Sequence, residues 1–163
     1  MSTIDYSKAK PGDILLYRGT KLRVNRCINK YDEAYYSHAG LYLGNKQVQH
    51  ANKMGVQEMS FLESAKNFDK VLIKRLEHCP KSMLPVIEQA NSMVGNPYDF
   101  PQFKLLALLF ITRRTKKFNN AFADLVVHFL NAFSIKMIKS IKHDDSKLIC
   151  TEFPYRSYND ALL

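Results

Sequence analysis

Two histidines and one cysteine carry the chemistry legible in this 163-residue sequence: His38, His50 and Cys150. A cysteine becomes a useful nucleophile when a base lies within hydrogen-bond reach and a third group orients that base. Cys150 supplies the thiol, His38 the base and His50 the orienting partner. Backbone N–H groups around Cys150, its own included, would hold the oxyanion of a tetrahedral intermediate. The chemistry expected of this set is acyl transfer from an amide or ester, through a thioester, to water or another acceptor.

Taken singly, each residue has a plainer reading. Cysteine is among the most buried residue types, so Cys150 alone is more often an inert core thiol. A lone sheet histidine is more often a hydrogen-bonded structural residue than a catalyst. The three could also ligate zinc. No fourth Cys or His stands near these positions, so neither a metal nor a cofactor is expected. Cys27 and Cys79 form no CxxC pair and read as structural, and an odd count of three does not suit a disulfide scaffold.

The element that must position the histidines is Ser37–Asn52, SHAGLYLGNKQVQHAN. The apolar runs Ala39–Leu43 and Val48–Ala51 flank Gly44-Asn45-Lys46, the pattern of a β-hairpin. A three-residue loop pairs Leu43 with Gln47. It places His38 and His50 on one face as diagonal neighbours, about 7–8 Å apart. A two-residue loop sends them to opposite faces.

Before the hairpin, Pro11-Gly12-Asp13 turns the chain into Ile14–Tyr17, a short apolar strand expected to be buried on both faces. After it, Val56–Met59 and Lys70–Leu76 read as strands, with Phe61–Phe68 a helical turn or loop between them. Pro80–Val94 spaces Met83, Ile87, Ala90 and Val94 as a helix, with Gly95 a C-cap. Phe103–Ile111 and Ala121–Ile138 are apolar helices. The first is too short to span a bilayer, and Asp124 and His128 interrupt the second. The fold class is α+β: an antiparallel sheet packed against helices, in a single domain.

Asp144-Asp145-Ser146 reads as a helix start, with the helix running from about Leu148 to Ala161. Cys150 then lies in its first turn, where the positive end of the helix dipole lowers a thiol pKa. Pro154 conflicts with that placement. Either the turn is loose, or the regular helix begins nearer Pro154 with the proline at its first position.

The hydrophobic content of 46% argues for a folded globule. Lys and Arg exceed Asp and Glu by 24 − 15, a net charge of +9 that suits an anionic surface or ligand. Arg113, Arg114, Lys116 and Lys117, followed by Lys136, Lys139 and Lys142, form a basic stripe. Such runs are usually a solvated face, and beside apolar helices they could hold a membrane surface. No nucleic-acid-binding signature occurs, so nucleic acid is not an expected partner. The N-terminal residues lack an apolar signal region, which points to a cytoplasmic protein.

The ordered series PGDILLY, SHAGLYLG, VQHA, GNPYDF and CTEFPYRSY resembles the circularly permuted branch of the NlpC/P60 papain-like superfamily. That branch includes YiiX-like bacterial proteins and the lecithin:retinol acyltransferase group. The resemblance implies a permuted papain-like fold, with Cys150 as nucleophile, His38 as base and His50 as the third polar residue. The third position is often glutamate in YiiX-like members, whereas a histidine is closer to the acyltransferase group. Tyr98, in the Gly-x-Pro-Tyr-Asp segment, would line the substrate pocket. Residues 103–142 have no counterpart and read as a helical insertion. The resemblance implies a cysteine hydrolase that cleaves an amide bond, a peptidase or amidase acting on cell-wall-type peptides. The alternatives are a lipid acyl hydrolase or acyltransferase of the same fold, or a non-catalytic basic module that binds lipid or a partner. A low Cys150 pKa would separate the enzymes from the binding module.

Overall fold

The computed structural model describes residues 7–19, 36–77, 80–105 and 146–161. Within them, β1 (Ile14–Arg18), β2 (His38–Gly44), β3 (Gln47–Asn52), β4 (Gly55–Ser60) and β5 (Lys70–Lys74) form one sheet. The strand order is β4-β3-β2-β1-β5, and every pairing is antiparallel. The helices that lie wholly within the described residues are α1 (Phe61–Ala65), α2 (Leu84–Ser92) and α3 (Glu152–Asn159). The architecture is α+β, as the hydrophobic patterning predicts.

Strand alternation sends apolar residues to both faces. Leu15, Tyr17, Tyr42 and Val48 pack with Phe61 and Ala65 of α1. Leu41, Ala51 and Val56 pack with Val86 and Ala90 of α2, Phe153 and Tyr158 of α3, and Leu148. β1 is not buried on both faces as expected. Leu15 and Tyr17 are fully buried, whereas Ile14 and Leu16 are half-buried and line an open cleft beside α3.

The β2–β3 hairpin corrects the expected loop. Gly44 pairs with Gln47, so the turn is the two residues Asn45-Lys46, both at positive φ (50° and 64°). Such a turn alone would send the histidines to opposite faces. The ladder, however, jumps between Tyr42 and Gly44, so Leu43 has no partner in it, and Leu41 faces Gln49. One extra residue on one strand restores the odd count. The predicted register therefore holds for the body of the hairpin, although the turn is shorter.

α3 begins at Glu152, not Leu148. Ile149 O accepts from the N–H groups of both Glu152 and Phe153, a turn that carries Cys150 up to the helix. Pro154 is the third helical residue. The first four helical N–H groups lack an intrahelical acceptor, so its missing donor costs no bond. Neither expected arrangement is met, because the helix starts between the two positions considered. α2 starts at Leu84 with proline in its first turn and stops at Ser92. Gly95, at φ +89°, lies past the cap and donates to Val56 O at 2.9 Å, while Val56 N–H bonds Asn96 O at 2.8 Å. These bonds clip the end of α2 to β4.

Asp13, 1% exposed, accepts from Arg75 Nε and Nη2, both at 2.7 Å, and from Lys10 N–H at 2.8 Å. This ties the turn before β1 to the segment after β5. The expectations for Gly19–Tyr36, for Phe103–Ile111 beyond residue 105 and for Ala121–Ile138 fall almost wholly outside the described residues. So do the basic stripe, Cys27 and Cys79. Among the described residues, no helix is long and apolar enough to cross a membrane.

Candidate active site

The restored register brings His38 and His50 together. His38 Nε2 and His50 Nδ1 are 2.9 Å apart, with ring centroids at 4.9 Å. His38 stacks on Phe68 with ring centroids 5.6 Å apart and an 8° interplanar angle, and also meets the Tyr17 ring at 5.4 Å. Burial pushes His38 down to about 3, and repulsion from a charged His50 adds to the shift. Burial alone pushes His50 down to about 4. Both rings are therefore neutral at physiological pH. Their facing nitrogens point at each other and not at a shared ion. Among the described residues, no group of three or more His, Cys, Asp and Glu is placed to hold a metal.

The hydrogen-bond alternation of β2 shows where Cys150 meets the sheet. Tyr42 N–H bonds Asp13 O on the β1 side, at 2.9 Å. Successive N–H groups of a strand point to opposite edges, so that of Ala39 points towards β3. The β2–β3 pairing starts only at Leu41–Gln49, which leaves Ala39 N–H outside the ladder. That N–H, the backbone N–H groups of Cys150 and Thr151 and the Tyr98 hydroxyl all act to favour the Cys150 thiolate. His38 is not one of these donors; it stands beside Ala39 in sequence. The thiol thus lies near the backbone of the residue that follows His38.

Tyr98 is held there by backbone pairing. Tyr98 forms an isolated parallel bridge with Leu148, supported by Leu148 N–H to Pro97 O at 3.1 Å and Asp99 N–H to Leu148 O at 3.0 Å. Tyr98, expected to line a pocket, stands beside Cys150, and its hydroxyl favours the thiolate. Its own hydroxyl pKa is raised, first by burial and then by the neighbouring Cys150.

The low thiol pKa expected from the helix dipole is not found. Burial pushes the Cys150 thiol up, and the four donors only oppose that shift. The thiol lies in the turn before Glu152, outside the first helical turn where the dipole acts most strongly. Burial thus favours the uncharged form of both the Cys150 thiol and the His38 imidazole.

Sequence reasoning missed the Ala39 N–H, the Phe68 platform and Asn52. Asn52 Nδ2 lies 3.1 Å from His50 Nε2. Its position was readable, because residues two apart on a strand share a face. Beside α3, Ile14, Leu16, Ala39, Leu76, Pro154 and Tyr155 help line a cleft of about 480 Å³ that adjoins Thr151.

A histidine pair bridging two antiparallel strands, with a thiol presented just before a later helix, is the arrangement of a permuted papain-like protein. The chain belongs to the permuted papain-like amidase family YaeF/YiiX, C92, whose model matches residues 8–105. That match includes His38, His50 and Tyr98 and stops before Cys150. The chain is also similar to the probable lipoprotein peptidase YaeF of Escherichia coli (strain K12). The two are 24% identical over 147 residues, covering 88% of this chain and 53% of the relative. The chain thus spans about half the length of that curated relative.

Proposed function

We propose that this protein is a cysteine hydrolase that cleaves an amide bond through a thioester, with Cys150 as nucleophile, His38 as base and His50 as its orienting partner. The observation that carries this reading is the bridged pair of His38 and His50, with the Ala39 N–H beside His38 acting on the Cys150 thiol. His50 engages Nε2 of His38, so Nδ1 is the nitrogen left for the reaction. It takes the thiol proton as sulfur attacks the substrate carbonyl carbon. The Cys150 N–H and the Tyr98 hydroxyl, both beside the sulfur, hold the oxyanion that forms there. Collapse breaks the C–N bond, and His38 returns the proton to the leaving amine. Water then hydrolyses the thioester and restores the thiol.

A peptide amide is the preferred substrate class, in keeping with the amidase family and with a relative named as a lipoprotein peptidase. The apolar cleft favours a second reading, an acyl substrate with a hydrocarbon chain. The two are separated by offering γ-glutamyl dipeptide amides alongside p-nitrophenyl esters of rising chain length. Amide turnover that disappears in Cys150→Ser supports the peptidase. Ester turnover that grows with chain length, with none on the amides, would replace it by the lipid reading. Unchanged turnover in Cys150→Ser would remove the nucleophile.

A further inference from the structure

Asn52 has both ends of its amide committed. Its Oδ1 accepts from Met54 N–H at 2.7 Å, and a backbone N–H can only donate. The amide orientation is thereby fixed, and Nδ2 faces His50 Nε2 at 3.1 Å and Gln57 Oε1 at 3.1 Å. An amide NH₂ has no lone pair to offer, so the imidazole nitrogen it meets must be the acceptor. A neutral His50 whose Nε2 accepts carries its proton on Nδ1. That nitrogen sits 2.9 Å from His38 Nε2, which must then accept in turn. The one proton of a neutral His38 is left on Nδ1.

We propose that Asn52 is a positioning residue that sets the resting tautomer of the histidine pair, so that His38 turns an N–H, not a lone pair, towards the reaction site. In this state His38 meets a ligand as a hydrogen-bond donor. It can accept the Cys150 proton only after both rings move their single proton from Nδ1 to Nε2. That reversal places His50 Nε2–H against the Asn52 amide, which must turn its oxygen round and abandon Met54 N–H. Asn52 therefore keeps the nucleophile unactivated at rest. The inference uses the role proposed above for His38, but the proton positions are measurable without any substrate.

Long-range proton–nitrogen correlation NMR of the wild-type protein, at mildly alkaline pH where both rings are neutral, reads the tautomers directly. Nδ1 of both His38 and His50 should be protonated, with both Nε2 atoms of the bare, accepting type. A proton on His38 Nε2 would overturn the proposal, whatever the protein hydrolyses. Asn52→Asp keeps the shape and the Met54 acceptor but puts an oxygen opposite His50 Nε2. It should move both protons to Nε2, and iodoacetamide labelling of Cys150 should quicken by about tenfold, the factor carried by one pKa unit. An unchanged tautomer pattern in Asn52→Asp would also refute it.

Discussion

At Cys150 two opposed effects meet, and their balance decides how the residue reacts. Burial disfavours the thiolate, while the N–H groups of Ala39, Cys150 and Thr151 and the Tyr98 hydroxyl favour it. Burial is the larger, so the rate of iodoacetamide labelling should climb through the alkaline range, with its midpoint above that of an ordinary cysteine. A midpoint on the acid side of neutrality would show instead a preformed ion pair with His38. Tyr98→Phe deletes one of the four donors. A hydrogen bond to a charged group is worth about 1.5 kcal/mol, so labelling at a fixed pH should slow by about tenfold. An unchanged rate would mean that the hydroxyl does not bear on the thiolate. The sequence singled out this thiol and put it inside the helix, which starts two residues later at Glu152. It could not reveal the burial, which depends on Ala39, Tyr98 and Leu148 closing in from distant parts of the chain.

The elements that bring these groups together were legible to differing depths. Apolar runs and turn residues located all five strands and α2, and the odd offset between the two arms of the hairpin set the register of the histidine pair. Turn length was less legible. Gly44-Asn45-Lys46 reads equally as a three-residue loop or as a two-residue turn preceded by a bulge, and only the ladder around Leu43 distinguishes them. Lys46 is the cost of this solution, a lysine held at φ +64°. Glycine reaches that region without a Cβ clash, so Lys46→Gly should stabilise the protein by about 0.5–1 kcal/mol. A urea midpoint that rises at constant m would show it, and a fall would mean that the lysine side chain supplies more than its backbone costs. A larger effect is expected where Asp13 links the turn before β1 to Arg75. Asp13→Ala removes two charged hydrogen bonds from a buried carboxylate, although Arg75 keeps much of its surface in water. The urea midpoint should fall by the equivalent of about 2 kcal/mol, and an unchanged midpoint would show that the pair is decorative.

For the molecule as a whole, burying two adjacent imidazoles makes stability depend on pH in a window where few other groups titrate. The folded pKa of His50 lies at about 4, and that of His38 at about 3, both below the ordinary 6.5. The unfolded chain therefore binds more protons than the folded one as pH falls below 6.5, and stability must fall with it. Above 6.5 the effect vanishes, because both states are neutral. His50 is only 5% exposed, so solvent screens its shift little. Titrating it should cost about 3 kcal/mol by the time pH reaches its folded pKa. His38 adds to the fall, although once either ring is charged its neighbour resists a second proton. Carboxylates with ordinary values near 4 contribute mainly at the lower end of this window. His50→Gln tests the assignment, since an amide there can still bridge His38 and Asn52 but cannot take a proton. Urea midpoints at neutral pH and at the acid end of the window should fall further apart in the wild type than in His50→Gln, by the equivalent of about 2–3 kcal/mol. Equal falls in the two proteins would place the acid sensitivity elsewhere and remove the buried, neutral histidine pair from the account of this site.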